Sequence, residues 1–230
     1  MKNIKLLFAF LLAVGIVGCS SSDSNFSYGS APTTAPIYNR CFGGDLNEMG
    51  YSVCVSTDGT VWVTGETKST DGDVPNTKHG ITENSDLWLL GIDTTKSKDK
   101  QIIYNRCFGG DLNDIGLSVC VSTDGTVWVT GYTDSTDGDV PNTKHGITKN
   151  LDLWLLGIDP TKGVAAEPIY NRCFGGDNND IGYSVCVSGG TVWVTGETGL
   201  TGIGGIKDAN DVPDTKHNAS DIWLLGINPK

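Results

Sequence analysis

Along residues 37–230 short apolar runs alternate with polar, Gly-rich stretches, and no run keeps the 3.6-residue period of a helix. The first stretch contains IYNRCFGG (37–44), YSVCVS (51–56), TVWVTG (60–65) and DLWLLGID (86–93). Val, Ile, Thr and Trp fill these runs, residue types that suit a pleated surface. VWV and LWLLGI are apolar at successive positions, which predicts strands covered on both faces. Thr57-Asp58-Gly59-Thr60 predicts a tight hairpin, with Asp-Gly supplying the positive φ angles of a type I′ turn. A long polar loop, ETKSTDGDVPNTKHGITENS, separates the third run from the fourth.

The same order returns twice. Ile37-Tyr-Asn-Arg-Cys-Phe-Gly-Gly-Asp recurs at Ile103 and Ile169, each step being 66 residues, and 37–102 matches 103–168 at 52 of 66 positions. The third copy diverges between Gly199 and Asp211 and ends at Asn228-Pro229-Lys230. A fixed period means one supersecondary unit stacked on its neighbours. The expected fold is all-β, with three tandem four-stranded repeats (37–102, 103–168 and 169–230) in a β-propeller-like arrangement. A threefold β-prism or β-trefoil, which also uses three four-stranded units, is the alternative.

The order F-G-G-D-x-N-[DE]-x-G-x-S-V-x-V-S-x-D-G-T-V-W-V-T-G, then S-T-D-G-D-V-P and D-L-W-L-L-G-I-D, resembles the bacterial SBBP-type β-propeller repeat across 37–230. The resemblance implies that each Tyr-Asn-Arg-Cys-Phe segment is the outer strand of the preceding blade. The first such segment then lacks a blade, and the last copy lacks an outer strand. Closed propellers have four to eight blades, so three blades imply a homodimer closing a six-blade ring. The resemblance speaks for fold more than for role, since propellers host many functions.

The N-terminus predicts export. Lys2 and Lys5 precede the apolar run Leu6–Val17, which is too short for the ~20 residues that span a bilayer. Ile16-Val17-Gly18-Cys19 resembles a bacterial lipobox, implying a lipoprotein signal peptide at 1–18 and lipidation of Cys19. Residues 19–36 are a Ser/Pro-rich tether. Ser20 after the Cys, in place of Asp, implies an outer-membrane destination in a two-membrane bacterium.

Composition narrows the role. The 230 residues carry 27 acidic and 16 basic side chains, a net charge of −11, which argues against binding a phosphate backbone. Six body cysteines, Cys41, Cys54, Cys107, Cys120, Cys173 and Cys186, form three pairs 13 apart and are disulfide candidates within each copy, or small buried thiols. His79, His145 and His217 fall one per copy, as an exposed loop residue or one-third of a threefold metal site. Asp71 and Asp73, Asp137 and Asp139, and Asp211 read as turn caps before Ca²⁺ ligands. Asp45, Asp111 and Asp177, and Asp86, Asp152 and Asp221, read as turn and strand-end hydrogen-bonding residues. The six Trp (62, 88, 128, 154, 193, 223) sit mid-strand, as packing core or as sugar-stacking surfaces. No P-loop, nucleophile elbow or paired catalytic carboxylate is present. The expected protein is a non-enzymatic binding or scaffold lipoprotein of the cell envelope, without a cofactor, whose ligand is a protein or a glycan. A carbohydrate-binding, lectin-like module is the alternative, favoured by exposed Trp or Tyr in a concavity.

Overall fold

The computed structural model describes residues 35–80, 83–145, 150–176, 178–199 and 220–229. Cys19, the signal segment, most of the tether, Asp177, Asp211, His217 and most of the divergent third loop lie outside those residues. Residues 35–39 belong to an N-terminal unit of their own, and Arg40 to Lys230 form the body.

Eleven strands are described. They are β1 (Glu48–Val55), β2 (Val61–Thr67), β3 (Asp86–Ile92), β4 (Ile102–Phe108), β5 (Asp114–Val121), β6 (Val127–Thr133), β7 (Asp152–Ile158), β8 (Tyr170–Phe174), β9 (Asp180–Ser188), β10 (Thr191–Thr198) and β11 (Asp221–Ile227). One short 3₁₀ turn, Pro160–Lys162, interrupts the pattern. The strands form three antiparallel sheets in the orders β1-β2-β3-β4, β5-β6-β7-β8 and β9-β10-β11.

The boundaries of the sheets differ from those of the repeats. β4 is the first segment of the second copy, yet it pairs with β3 of the first, Trp88 opposite Cys107 and Leu89 opposite Arg106. β8 likewise joins β7, Trp154 opposite Cys173. Each Trp indole then donates to the neighbouring Asn, Trp88 Nε1 to Asn105 Oδ1 at 2.7 Å and Trp154 Nε1 to Asn171 Oδ1 at 2.8 Å. The first segment, 37–44, is not a strand, and the third sheet has three strands where four per copy were expected.

Packing follows from this phase. β3 and β7 are buried along their whole length, as their unbroken apolar runs predict. One core joins Trp62, Leu87 and Leu89 of the first sheet to Val119, Val129 and Leu156 of the second. Another joins Trp128, Leu153 and Leu155 to Val185, Val194 and Trp223 of the third. A bulge in β1, β5 and β9 fixes the register; a Cβ at Gly131 would stand 1.8 Å from the Ile115 carbonyl oxygen, so only Gly fits.

The hairpins correct the expected turn. Ser56 N–H donates to Thr60 C=O and Gly59 N–H to Ser56 C=O, with Gly59 at φ 86°. Three residues therefore bridge β1 and β2, the type I turn plus left-handed residue of a three-residue loop. The third copy is one residue shorter, and there Gly189 and Gly190 both take positive φ between Ser188 and Thr191. The two-residue turn occurs in that copy.

Candidate functional site

The Gly-Gly-Asp bend at the start of the first two sheets is held by carboxylates. Asp111 N–H donates to Asp137 Oδ1 at 2.9 Å, and Asp139 N–H to the Gly109 carbonyl at 2.8 Å. Asp45 and Asp71 make the equivalent bond in the first copy, at 3.0 Å. The Asp-Gly-Asp loop thus pins the bend with the oxygens that a Ca²⁺ ion would need. Asp114 Oδ2 accepts from Gly110 N–H and Ser135 Oγ, both at 2.8 Å. Burial pushes the Asp114 carboxyl up to about 7; hydrogen bonds from Thr133, Gly110 and Ser135 oppose the shift, and nearby Asp86 adds to it.

The loop histidines are fastened individually. His79 Nδ1 lies 3.2 Å from Asp86 Oδ2, and His145 Nδ1 lies 3.3 Å from Asp152 Oδ2. Lys78 and Lys144, beside them, form ion pairs with the same aspartates at 3.0 and 2.9 Å, all four side chains being buried. The hydrogen bond to Asp86 holds the His79 imidazole above its ordinary range. In the first two copies the Lys-His dipeptide therefore ties the long loop to the first residue of the following strand. Among the described residues no group of three metal-ligating side chains converges.

The six body cysteines are free thiols. Cys107 and Cys173 are fully buried at the outer edges of the first two sheets. Cys120 lies on β5, on the second sheet, near Cys54 and Cys186, whose influence adds to the burial that raises its thiol pKa. The second cysteines of the copies thus stand closer to one another in kind than in sequence, one on each of β1, β5 and β9. Five of the six Trp are buried, and only Trp193, on β10, is exposed; as a class they pack the core.

One concavity gathers polar and aromatic side chains from two sheets. At the N-terminal ends of β1 and β5 a cavity of about 260 Å³ is lined by Asn47, Met49, Glu66, Lys68, Ser85, Asn113, Ile115, Tyr132, Asp134 and Leu151. Tyr51, exposed beside it, donates from its hydroxyl to Glu66 Oε1 at 2.7 Å. Burial, then that bond and the Glu66 charge, raise the Tyr51 phenol to about 12. Tyr132 is raised too, by burial first and then by Glu66, Asp134 and Tyr183. The Tyr132 phenol, two carboxylates, two amides and the Lys68 ammonium therefore line one opening. A larger cavity of about 480 Å³ opens at the other end of the strands, where Gly189 and Gly190 face Ser122 and Asp124. Its carboxylate, Asp124, is bonded to Ser122 and to Thr126 N–H, as Asp134 in the smaller cavity is bonded to Asn113 N–H and Nδ2.

The smaller cleft left a trace in the sequence that similarity between copies conceals. The first two copies differ at 14 of 66 positions, and eight of the ten cleft residues are four such pairs: Met49/Ile115, Glu66/Tyr132, Lys68/Asp134 and Ser85/Leu151. Of the other ten differences, seven fall in 94–102 and its counterpart 160–168, and three are Glu48/Asp114, Tyr51/Leu117 and Glu83/Lys149. A scan against protein-family models finds no match, and a search of curated proteins finds none either.

Proposed function

We propose that the protein is a non-enzymatic lipoprotein of the bacterial cell envelope, a β-propeller of SBBP-type repeats whose ligand face is the cleft around Glu66 and Tyr132. The observation that carries the reading is the mixed chemistry of this opening, where four of the five equivalent residue pairs differ between near-identical copies. The chemistry favours a polyhydroxylated ligand. The Tyr132 ring offers an apolar face with a hydroxyl rim, and Glu66, Asn47 and Lys68 offer acceptors and donors for vicinal hydroxyls. A carbohydrate-binding module is thus preferred to a scaffold without a small ligand.

A glycan array probed with the full chain in detergent tests the ligand. Binding is expected, and Tyr132→Ala should weaken it about tenfold or more, the ~1.4 kcal/mol of one good contact. Thr123→Ala, in the hairpin at the other end, should leave it unchanged. An empty array, or binding indifferent to Tyr132→Ala, would refute the carbohydrate reading.

The anchor is tested separately. Lipidation of Cys19 supplies the membrane attachment in this reading, so Cys19→Ala should move the chain from carbonate-washed membranes to the soluble fraction. Retention of the variant on washed membranes would show that attachment does not depend on lipid at Cys19.

A further inference from the structure

We infer that the exposed face of the third sheet docks on the exposed face of the first sheet of a second copy, forming a closed pair of chains. The chain shows twice what such a junction looks like. At the internal junctions Val119 and Val185 are each 5% exposed, whereas Val53, the same position on β1, is 63% exposed. Leu87 and Leu153 are each 1% exposed, whereas Ile222, the same position on β11, is 90% exposed. Leu89 and Leu155 are buried and Leu224 is exposed. The two bare faces are therefore the two halves of a junction that the molecule already makes.

Close fit and polar register repeat as well. Leu87 and Leu153 pack over Gly116 and Gly182, where a Cβ would stand 2.8 and 2.9 Å from the Leu Cγ atoms. Gly50, the corresponding glycine of β1, meets only Val63 at 3.7 Å, leaving room for Ile222 of a second copy. Ser52 Oγ accepts from Val119 N–H and Ser118 Oγ from Val185 N–H, both at 3.2 Å. Ser184 of one chain is thus placed to accept from Val53 N–H of the next.

The outer strand is also half built. Arg40 is held on the first sheet by Lys98 O at 2.6 Å and Asp73 at 3.3 Å, as Arg106 is held on the second by Ala166 O at 2.6 Å and Asp139 at 3.0 Å. Each guanidinium lies over the Phe two residues on. Arg106 and Cys107 simultaneously ladder to β3, whereas Arg40 and Cys41 lie in no strand and β11 ends its sheet. In the pair, Leu224 faces Arg40 and Trp223 faces Cys41 of the other copy. The number two rests on the propeller reading: among multiples of three, only six lies within the four to eight blades that close. The junction itself does not rest on it. Being heterologous, it yields a ring if the rotation closes and a filament if it does not.

Native mass spectrometry of the full chain released from detergent tests the inference. At tens of micromolar the wild type should have twice the protomer mass. Val53→Asp and Ile222→Asp alter side chains that the single chain leaves in solvent, so each should keep the circular dichroism of the wild type and be monomeric. Mixed, they should form a heterodimer, because one sound face remains on each. A monomeric wild type, a variant that stays dimeric, or a mixture without heterodimer would overturn the junction. Wild-type assemblies that grow beyond two would overturn the closed pair and, with it, the six-blade reading.

Discussion

Replacing Lys144 by Met should cost the fold about 3–5 kcal/mol, the range for removing one partner of a buried ion pair. Lys144 Nζ stands 2.9 Å from Asp152 Oδ1, and it also donates to the His145 and Asn150 carbonyls. Methionine keeps the side-chain volume and leaves the Asp152 carboxylate buried without its cation. At ~2–4 °C per kcal/mol for a chain of this size, the melting temperature should fall by on the order of 10 °C. Lys162→Met is the contrast. Its ion pair with Asp159 is 3.7 Å long with the Lys side chain 56% exposed, and such surface pairs contribute ~0–1 kcal/mol.

The defect should depend on pH with a defined sign. Burial already raises the Asp152 carboxyl above its ordinary range in the native protein, and removing Lys144 raises it further. A carboxyl whose folded pKa is raised contributes its stability below the unfolded pKa, near 4, and loses it as pH rises through the folded value. The variant should therefore lie closest to the wild type near pH 4 and fall behind toward neutral pH. Calorimetry across that range checks both statements. A Lys144→Met protein that melts with the wild type at pH 7 would show that the pair does not hold the long loop.

The ion pair also marks where the sequence is hard to read. Strand positions are legible because apolar residues at successive sites in DLWLLGI have few destinations other than a doubly covered strand, and β3 and β7 are such strands. The transfer of Tyr-Asn-Arg-Cys-Phe to the preceding sheet follows from the resemblance to SBBP repeats, and β4 and β8 adopt it. Lys78, His79 and Lys144 are different. They stand in a polar loop, and local pattern gives such residues to solvent; only the return of the loop to Asp86 and Asp152 buries the two lysines and half-buries His79. The hairpin at Asp58-Gly59 is one residue longer than its sequence predicts, because Asp-Gly serves both a two-residue type I′ turn and the end of a three-residue loop. The cleft is written in the differences between copies, at Glu66 and Tyr132 above all, where repetition draws attention away.

One arrangement defines the fold: the first segments of the second and third copies complete the sheets before them. Cysteine labelling reads that arrangement directly, because the same sequence position is buried in two copies and exposed in one. Cys107 and Cys173 are fully buried beside Trp88 and Trp154, and burial holds both thiols far above the ordinary range, whereas Cys41 is exposed. Native protein of the monomeric Ile222→Asp variant, treated with iodoacetamide and mapped by mass spectrometry, should carry label on Cys41 and none on Cys107 or Cys173 until it is unfolded. Labelling of Cys107 and Cys173 at the rate of Cys41, or their recovery as disulfides with Cys120 and Cys186, would contradict it.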